Sequence, residues 1–287
     1  MNLPRYYSSF LLIVIGFFLF SCSALKDLAS IEKPNLSISD IQVSDVSLQD
    51  LELTFEIEVD NPNAVAINLA SYNFDFLLDN NSFVKGSQPL STEIKSSAKS
   101  TVQIPVRFTF KELYQTFDSI RDKDETGFDL NAVIGVNLPV LGFTEVPIKK
   151  SGTFPIVKVP TISASKLSVK NLNFTKADLE LQLNINNPNA FGIILNNLDY
   201  NVDINGLESI SGTISKAVEI SEKGTGTLKI PVSFNLIELG RTAYQLLSSN
   251  KELDYALTGT TNIDAGLPFF KASNFDFNRS GSLNLFN

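Results

Sequence analysis

The side chains able to do chemistry in this chain are few, and their types exclude most reactions. Its 287 residues include one cysteine, Cys22, no histidine and no tryptophan. Serine–histidine and cysteine–histidine nucleophilic sites are therefore ruled out, as are ordinary zinc sites, whose ligands are imidazole or thiolate. A pair of carboxylates could still hydrolyse a glycoside. The acidic residues, however, alternate outward along strand-like runs, as Glu56 and Glu58 do, or sit in the polar run Asp122-Lys123-Asp124-Glu125, and read as solvated surface. Asp79-Asn80-Asn81 offers oxygen ligands for calcium, but no further carboxylate follows at loop-coordinating spacing, and its counterpart in the second half, Asn205-Gly206, is a plain hairpin turn. No glycine-rich phosphate loop follows a strand. The chain reads as non-enzymatic, with no metal and no cofactor expected.

Cys22 stands where an apolar run ends. Residues 1–21 read as an export signal, with Arg5 as its positive end and an apolar core from Phe10 to Phe20 interrupted at Gly16. That core is 11 residues long, short of the roughly 20 a membrane-crossing helix needs. It closes with Leu19-Phe20-Ser21-Cys22, which resembles the lipobox of bacterial lipoproteins, although Phe20 is bulkier than the usual occupant of its place. The resemblance implies cleavage before Cys22 and acylation of its thiol. At roughly 0.8 kcal/mol per buried CH₂, two or three acyl chains would hold the protein to a membrane almost permanently. Because Ser23 and not aspartate follows, the resemblance implies the outer membrane of a bacterial envelope. Residues 22–33 read as a lipidated tether, whose eleven residues after Cys22 reach at most about 35–40 Å.

Charge narrows the partners further. With Arg5 removed, 22 basic residues (23 less one) face 31 acidic ones, a net charge of −9. A polyanion needs a basic patch, and Lys149-Lys150 alone is too small, so nucleic acid is not a partner. The expected partners are a membrane, through the lipid anchor, and protein clients or a lipid. One cysteine allows no intramolecular disulfide.

The chain is organised around a stretch that occurs twice, Asp60-Asn61-Pro62-Asn63-Ala64 and Asn186-Asn187-Pro188-Asn189-Ala190, 126 residues apart. Pro62 and Pro188 cannot continue a central strand, and the asparagine before each is held extended. The amides of Asn61, Asn63, Asn187 and Asn189 can fold onto nearby backbone groups in an Asx-type corner. This structural reading is favoured over ligand contact by the amides. Upstream the apolar period is two: Leu51, Leu53, Phe55, Ile57 and Val59 in one copy, and Leu179, Leu181, Leu183 and Ile185 in the other. Such a strand followed by Asn-Pro-Asn, in a copy of this length, resembles the late embryogenesis abundant type-2 family, also called the water stress and hypersensitive response domain. The resemblance implies two tandem fibronectin- or immunoglobulin-like β-sandwiches, each with one added α-helix. It also implies an absence of catalytic residues and a protective role in desiccation and stress.

The repeat divides the chain into residues 34–158 and 159–287, joined by Phe154-Pro155-Ile156-Val157-Lys158-Val159-Pro160, a stiff connection without glycine or serine. In both halves an alternating strand runs straight into a helix. Thr109 with Glu112, and Asn235 with Glu238, fit the capping-box spacing. The expected apolar stripes are Phe110, Leu113, Phe117 and Ile120, then Leu236, Leu239, Ala243 and Leu246. Matching residues shift from an offset of 126 to one of 129 (Leu138-Pro139 on Leu267-Pro268), which predicts a three-residue insertion between the second helix and its next strand. Two alternatives to protection remain at this point: a carrier holding an amphiphile between helix and sheet, and a structural adaptor in an envelope complex.

Overall fold

The computed structural model describes residues 31–249 and 251–285. Cys22, the signal segment and most of the tether lie outside the described residues. The first repeat runs β1 (Asn35–Val46), β2 (Asp50–Asp60), β3 (Ile67–Leu78), β4 (Asn81–Ile94), β5 (Lys99–Thr109), α1 (Phe110–Thr116), β6 (Glu125–Leu138) and β7 (Gly142–Pro155). The second runs β8 (Thr161–Leu172), β9 (Lys176–Asn186), β10 (Ile193–Ile204), β11 (Ser209–Ile214), β12 (Val218–Ile220), β13 (Thr225–Asn235), α2 (Leu236–Leu247), β14 (Glu252–Ala265) and β15 (Ser273–Asn284). Sheet orders are β1-β2-β5 and β4-β3-β6-β7 in the first, β8-β9-β13 and β11-β10-β14-β15 in the second, with β12 also on β10. The protein is thus a mainly β tandem, each repeat built from two sheets with one added α-helix.

Alternation makes the layers. On β2 and β9 every second side chain is buried, and these strands lie in the middle of their three-stranded sheets, where both edges are hydrogen-bonded. In the first repeat the two sheets meet through phenylalanine. Phe55 on β2 lies 6.4 Å from Phe76 on β3 and 5.6 Å from Phe128 on β6, and Phe108 on β5 lies 5.3 Å from Phe154 on β7. Edge-on and offset ring pairs of this kind each contribute about 0.5–1.5 kcal/mol beyond burial. The second core is mostly aliphatic (Leu181, Leu183, Ile230, Val232, Val202 and Leu257 are all fully buried). Each such side chain contributes roughly 1.5–3 kcal/mol. There Tyr200 on β10 donates its hydroxyl to the Pro231 carbonyl on β13, tying one sheet to the other.

Proline positions agree with the sheet order. Pro89, Pro105, Pro147 and Pro231 lie inside β4, β5, β7 and β13, all of them edge strands, where a missing N–H costs no ladder bond. By compactness the chain falls into two units. One comprises the residues up to Ser44 with Glu52–Phe108 and Glu125–Phe154, and the other Asp45–Leu51, Thr109–Asp124 and Pro155–Asn287.

Three local expectations are corrected. Thr109 forms a full capping box, its hydroxyl accepting from Glu112 N–H at 3.1 Å while the Glu112 carboxylate accepts from Thr109 N–H at 3.0 Å. Asn235 instead caps Ile237 N–H at 3.1 Å, and Glu238 accepts from the Asn235 side-chain amide, not from its backbone. Second, α2 is broken at Gly240 (φ 83°, ψ −180°), which turns the later residues, so that Leu236, Ala243 and Leu247 are buried while Leu239 and Leu246 are half-exposed. In the first repeat all four stripe residues are buried although α1 ends at Thr116, because a 3-10 turn (Asp118–Ile120) carries Ile120 inward. Third, the insertion is not one block. Phe76 pairs with Leu130, and Val202, 126 positions after Phe76, pairs with Leu257, an offset of 127. One extra residue therefore precedes β14, and the other two lie between β14 and β15. Both are surface connections, where added length costs least.

Candidate functional site

Each β-strand leading to the repeated motif stops at the residue before Asn-Pro, Asp60 on β2 and Asn186 on β9. Beyond it two asparagine side chains turn inward. Asn61 is 0% exposed, Asn63 4%, and Asn187 and Asn189 0% each, numbers that matter because a buried amide must find partners for every donor and acceptor.

The Asn61 amide nitrogen donates to the carbonyls of Val65 (2.9 Å) and Lys95 (2.9 Å), with that of Ile94 at 3.4 Å. The Asn187 nitrogen donates to Phe191 (2.7 Å) and Ser221 (3.0 Å), with Ile220 at 3.5 Å. The carbonyl oxygen of each accepts from the second asparagine's N–H at 3.1 Å and from its side-chain nitrogen at 2.9 and 3.0 Å. The second asparagine then clamps the chain that leads into the repeat. Asn63 accepts from Glu32 N–H (2.8 Å) and donates to the Glu32 carbonyl (2.9 Å), and Asn189 does the same to Lys158 at 2.7 and 2.8 Å. Every partner is shifted by 126 positions. Pro62 is exposed, and Pro188 is half-buried, its carbonyl accepting from Lys223 Nζ at 2.9 Å. With their hydrogen-bonding capacity spent on the backbone and on each other, these amides join three stretches: the strand end, the turn before β5 or β13, and the entering segment.

Other polar groups are arranged as surface. Asp124 receives hydrogen bonds from Lys223 and Lys158, which hold its carboxyl below the ordinary aspartate range. Glu180 is lowered by Lys170 and Lys229 at 3.1 and 3.3 Å. Asp79 and Asn80 both have positive φ (48° and 63°) and make the β3–β4 turn, with the Asn81 amide donating to the Asp79 carbonyl at 2.9 Å. Among the described residues no group of three or more acidic, histidine or cysteine side chains could hold a metal ion, and no helix is long and apolar enough to cross a membrane.

An apolar cleft opens on the second repeat. The cleft, of about 480 Å³, is lined by Phe174, Leu236, Ile237, Gly240, Arg241, Tyr244 and Gln245. Phe174 stacks on Tyr244 with centroids 4.6 Å apart, and Phe174 and Ile237 remain 79% and 71% exposed. The cleft is bounded by α2 and the β8–β9 loop and does not include Leu239. The apolar period of the sequence marks only Leu236 among these residues, as part of the helix stripe, and assigns the others no role. Their one signal was Ile237, an apolar residue outside the helix stripe.

The profile of the family described as "Late embryogenesis abundant protein" matches residues 56–152 and 182–281, one match in each repeat. Late embryogenesis abundant protein Lea14-A of Gossypium hirsutum is similar over 135 residues at 24% identity, covering 47% of this chain and 87% of that protein. The probable desiccation-related protein LEA14 of Arabidopsis thaliana is 25% identical over 134 residues, again 47% of this chain and 87% of its own length. A solution structure of an Arabidopsis thaliana protein aligns with a TM-score of 0.38 at 24% identity, covering 44% of this chain and 83% of that one. With the profile matched in both repeats and around both corners, the chain belongs to the late embryogenesis abundant protein family, type 2, in two tandem copies.

Proposed function

We propose that this protein is a non-enzymatic protector of neighbouring proteins or membranes under water loss and related stress. The observation that carries the reading is the similarity to desiccation-related relatives, of which about half of this chain covers 87%. The chemistry of the fold supports it. A histidine-free surface is a poor setting for proton transfer near neutral pH, and a net charge of −9 after loss of Arg5 keeps the protein soluble beside an aggregating client. We further propose that acylated Cys22 anchors it in the bacterial envelope, at the outer membrane, so that its clients are envelope proteins or the bilayer itself.

The test is protection of a labile enzyme through drying or freezing by the purified protein at near-stoichiometric ratio. Recovery above that given by an equal mass of an inert acidic protein is expected. Equal recovery would overturn the reading, and so would a lipid retained through detergent-free purification and seen by native mass spectrometry, since a carrier buries most of its ligand's surface. Anchoring is checked separately: Cys22→Ala is expected to abolish labelling by a radioactive fatty acid, and unchanged labelling refutes it.

A further inference from the structure

Large exposed apolar side chains concentrate at two places. Among the described residues Val140, Leu141 and Phe143 crowd the β6–β7 turn, and Phe174 and Ile237 flank the β8–β9 loop, five of the seven such residues. A patch of this kind marks an interaction surface. The chain itself shows what covers it.

The β1–β2 and β8–β9 loops share one geometry. Ser47 Oγ accepts from the N–H groups of Gln49 and Asp50 at 3.0 Å, and Asn173 Oδ1 accepts from those of Thr175 and Lys176 at 2.9 Å. Ser47 N–H donates to the Asp50 carbonyl at 2.9 Å and Asn173 N–H to that of Lys176 at 3.0 Å. Leu48 and Phe174 therefore stand at the same place, yet Leu48 is 3% exposed and Phe174 79%. The difference is an occupant. Within the second compact unit the first loop lies along the β14–β15 connection. Val46 N–H donates to the Phe269 carbonyl (3.3 Å), Lys271 N–H to the Val46 carbonyl (2.7 Å), and Leu48 N–H to Ser273 Oγ (3.3 Å). Val46 and Phe270 form a parallel bridge, and Lys271 Nζ reaches Asp45 at 2.6 Å.

The receiving connection has a counterpart too. At the offset of 129, Val140 (φ 69°) falls on Phe269 (φ 62°), both with positive φ, although Leu141 N–H closes a tighter turn on the Pro139 carbonyl (2.8 Å) where Phe270 N–H reaches back to the Leu267 carbonyl (3.3 Å), and Thr144 falls on Ser273. So one inserting loop and one receiving turn are joined inside the chain, while among the described residues the receiving turn of the first repeat and the inserting loop of the second stay open. We infer that these open halves join between two copies of the chain, head to tail, with the Phe174 loop of one copy on the Val140–Thr144 turn of the next. The exposed Leu141 and Phe143 of that turn supply the apolar face that Phe174 meets. Apolar side chains carry this contact. Asn171 and Gly142 stand where Asp45 and Lys271 pair, so the association lacks that ion pair and is not weakened by salt. Such a joint is heterologous, with different surfaces on its two sides.

The test is sedimentation of the purified full chain, in a mild detergent that covers its apolar N-terminal run. Wild type should form concentration-dependent species larger than a monomer, not weakened by added salt. Phe174→Glu and Leu141→Glu should each sediment as a monomer at the same concentration. Mixed in equal amounts they should form a one-to-one heterodimer, because each still brings one intact half. A wild type that stays monomeric, variants that associate as wild type does, or a mixture that stays monomeric would each overturn the inference. Both positions are exposed, so unchanged melts are expected; if either glutamate lowers the melting temperature, Phe174→Ser and Leu141→Ser carry the same test.

Discussion

Position 114 of the first repeat is a tyrosine and position 240, its equivalent in the second, is a glycine; the two helices part there. Tyr114 donates its hydroxyl to the Val157 carbonyl at 2.8 Å, and α1 gives way at once to a tight turn that buries Phe117 and Ile120. Gly240 adopts φ 83°, a β-carbon there would meet nothing within 4 Å, and α2 bends around an open cleft. The corners that follow β2 and β9 do not diverge: equivalent hydrogen bonds differ by at most 0.2 Å. The contrast has a physical cause. A buried amide has a fixed number of donors and acceptors, and any change orphans a group at about 1–3 kcal/mol. Apolar burial is non-directional, so a helix can bend and recruit Leu247 in place of Leu246 without leaving a polar group unsatisfied.

The sharpest way to break the comparison is to reverse one amide in each repeat. Asn61→Asp and Asn187→Asp are nearly isosteric but put a carboxylate where an NH₂ group faces three carbonyl oxygens. Each should destabilise its own repeat by at least about 3 kcal/mol, since an unpaired charge or orphaned carbonyls would be buried. Chemical denaturation followed by a probe in each repeat measures it. Similar losses are expected, and a loss in one repeat alone would show that the shared geometry hides unequal roles.

Next in size is a pair of equivalent leucines on the helices. Leu113 is fully buried and Leu239 half-exposed. Leu113→Ala should cost about 3 kcal/mol, in the range for core leucines, and Leu239→Ala about 1 kcal/mol. Equal costs in urea melts would mean that the bend at Gly240 has not changed which face α2 buries.

The smallest effect concerns Tyr114, whose phenol burial pushes up to about 12, against the lesser opposing pull of Arg121. Above pH 10 the unfolded chain loses this proton while the folded chain keeps it, so the unfolded state binds fewer protons and stability falls as pH rises from about 10 toward 12. Tyr114→Phe should lose about 1 kcal/mol at neutral pH, with the bond to Val157, and should flatten the alkaline decline. The second repeat, with glycine at this position, has no counterpart to that contribution. Thermal melts at pH 8 and pH 11 on both proteins measure the difference; an equally steep decline in the variant would assign it to Tyr72 and Tyr200, which burial also raises.

What the sequence by itself determined are the features whose cause is local. The period of two on β2 and β9, the proline that ends each strand, and the threonine and glutamate that start α1 can all be read from neighbouring residues, and the duplication from two stretches compared directly. The tertiary structure decided the rest, because its causes lie far apart along the chain. Strands β1, β4 and β8 escape the sequence because they are edges with few buried side chains, and so show no clean alternation. The asparagines were legible as corner formers, but their partners at Glu32, Lys95, Lys158 and Ser221 lie 31 to 34 positions away. The split of the insertion follows from strand register, which only pairing fixes. Leu48 and Phe174 look alike in sequence as apolar residues at loop tips; that one is covered and the other open depends on residues 269–273, more than two hundred positions beyond Leu48, and chain folding alone brings them together.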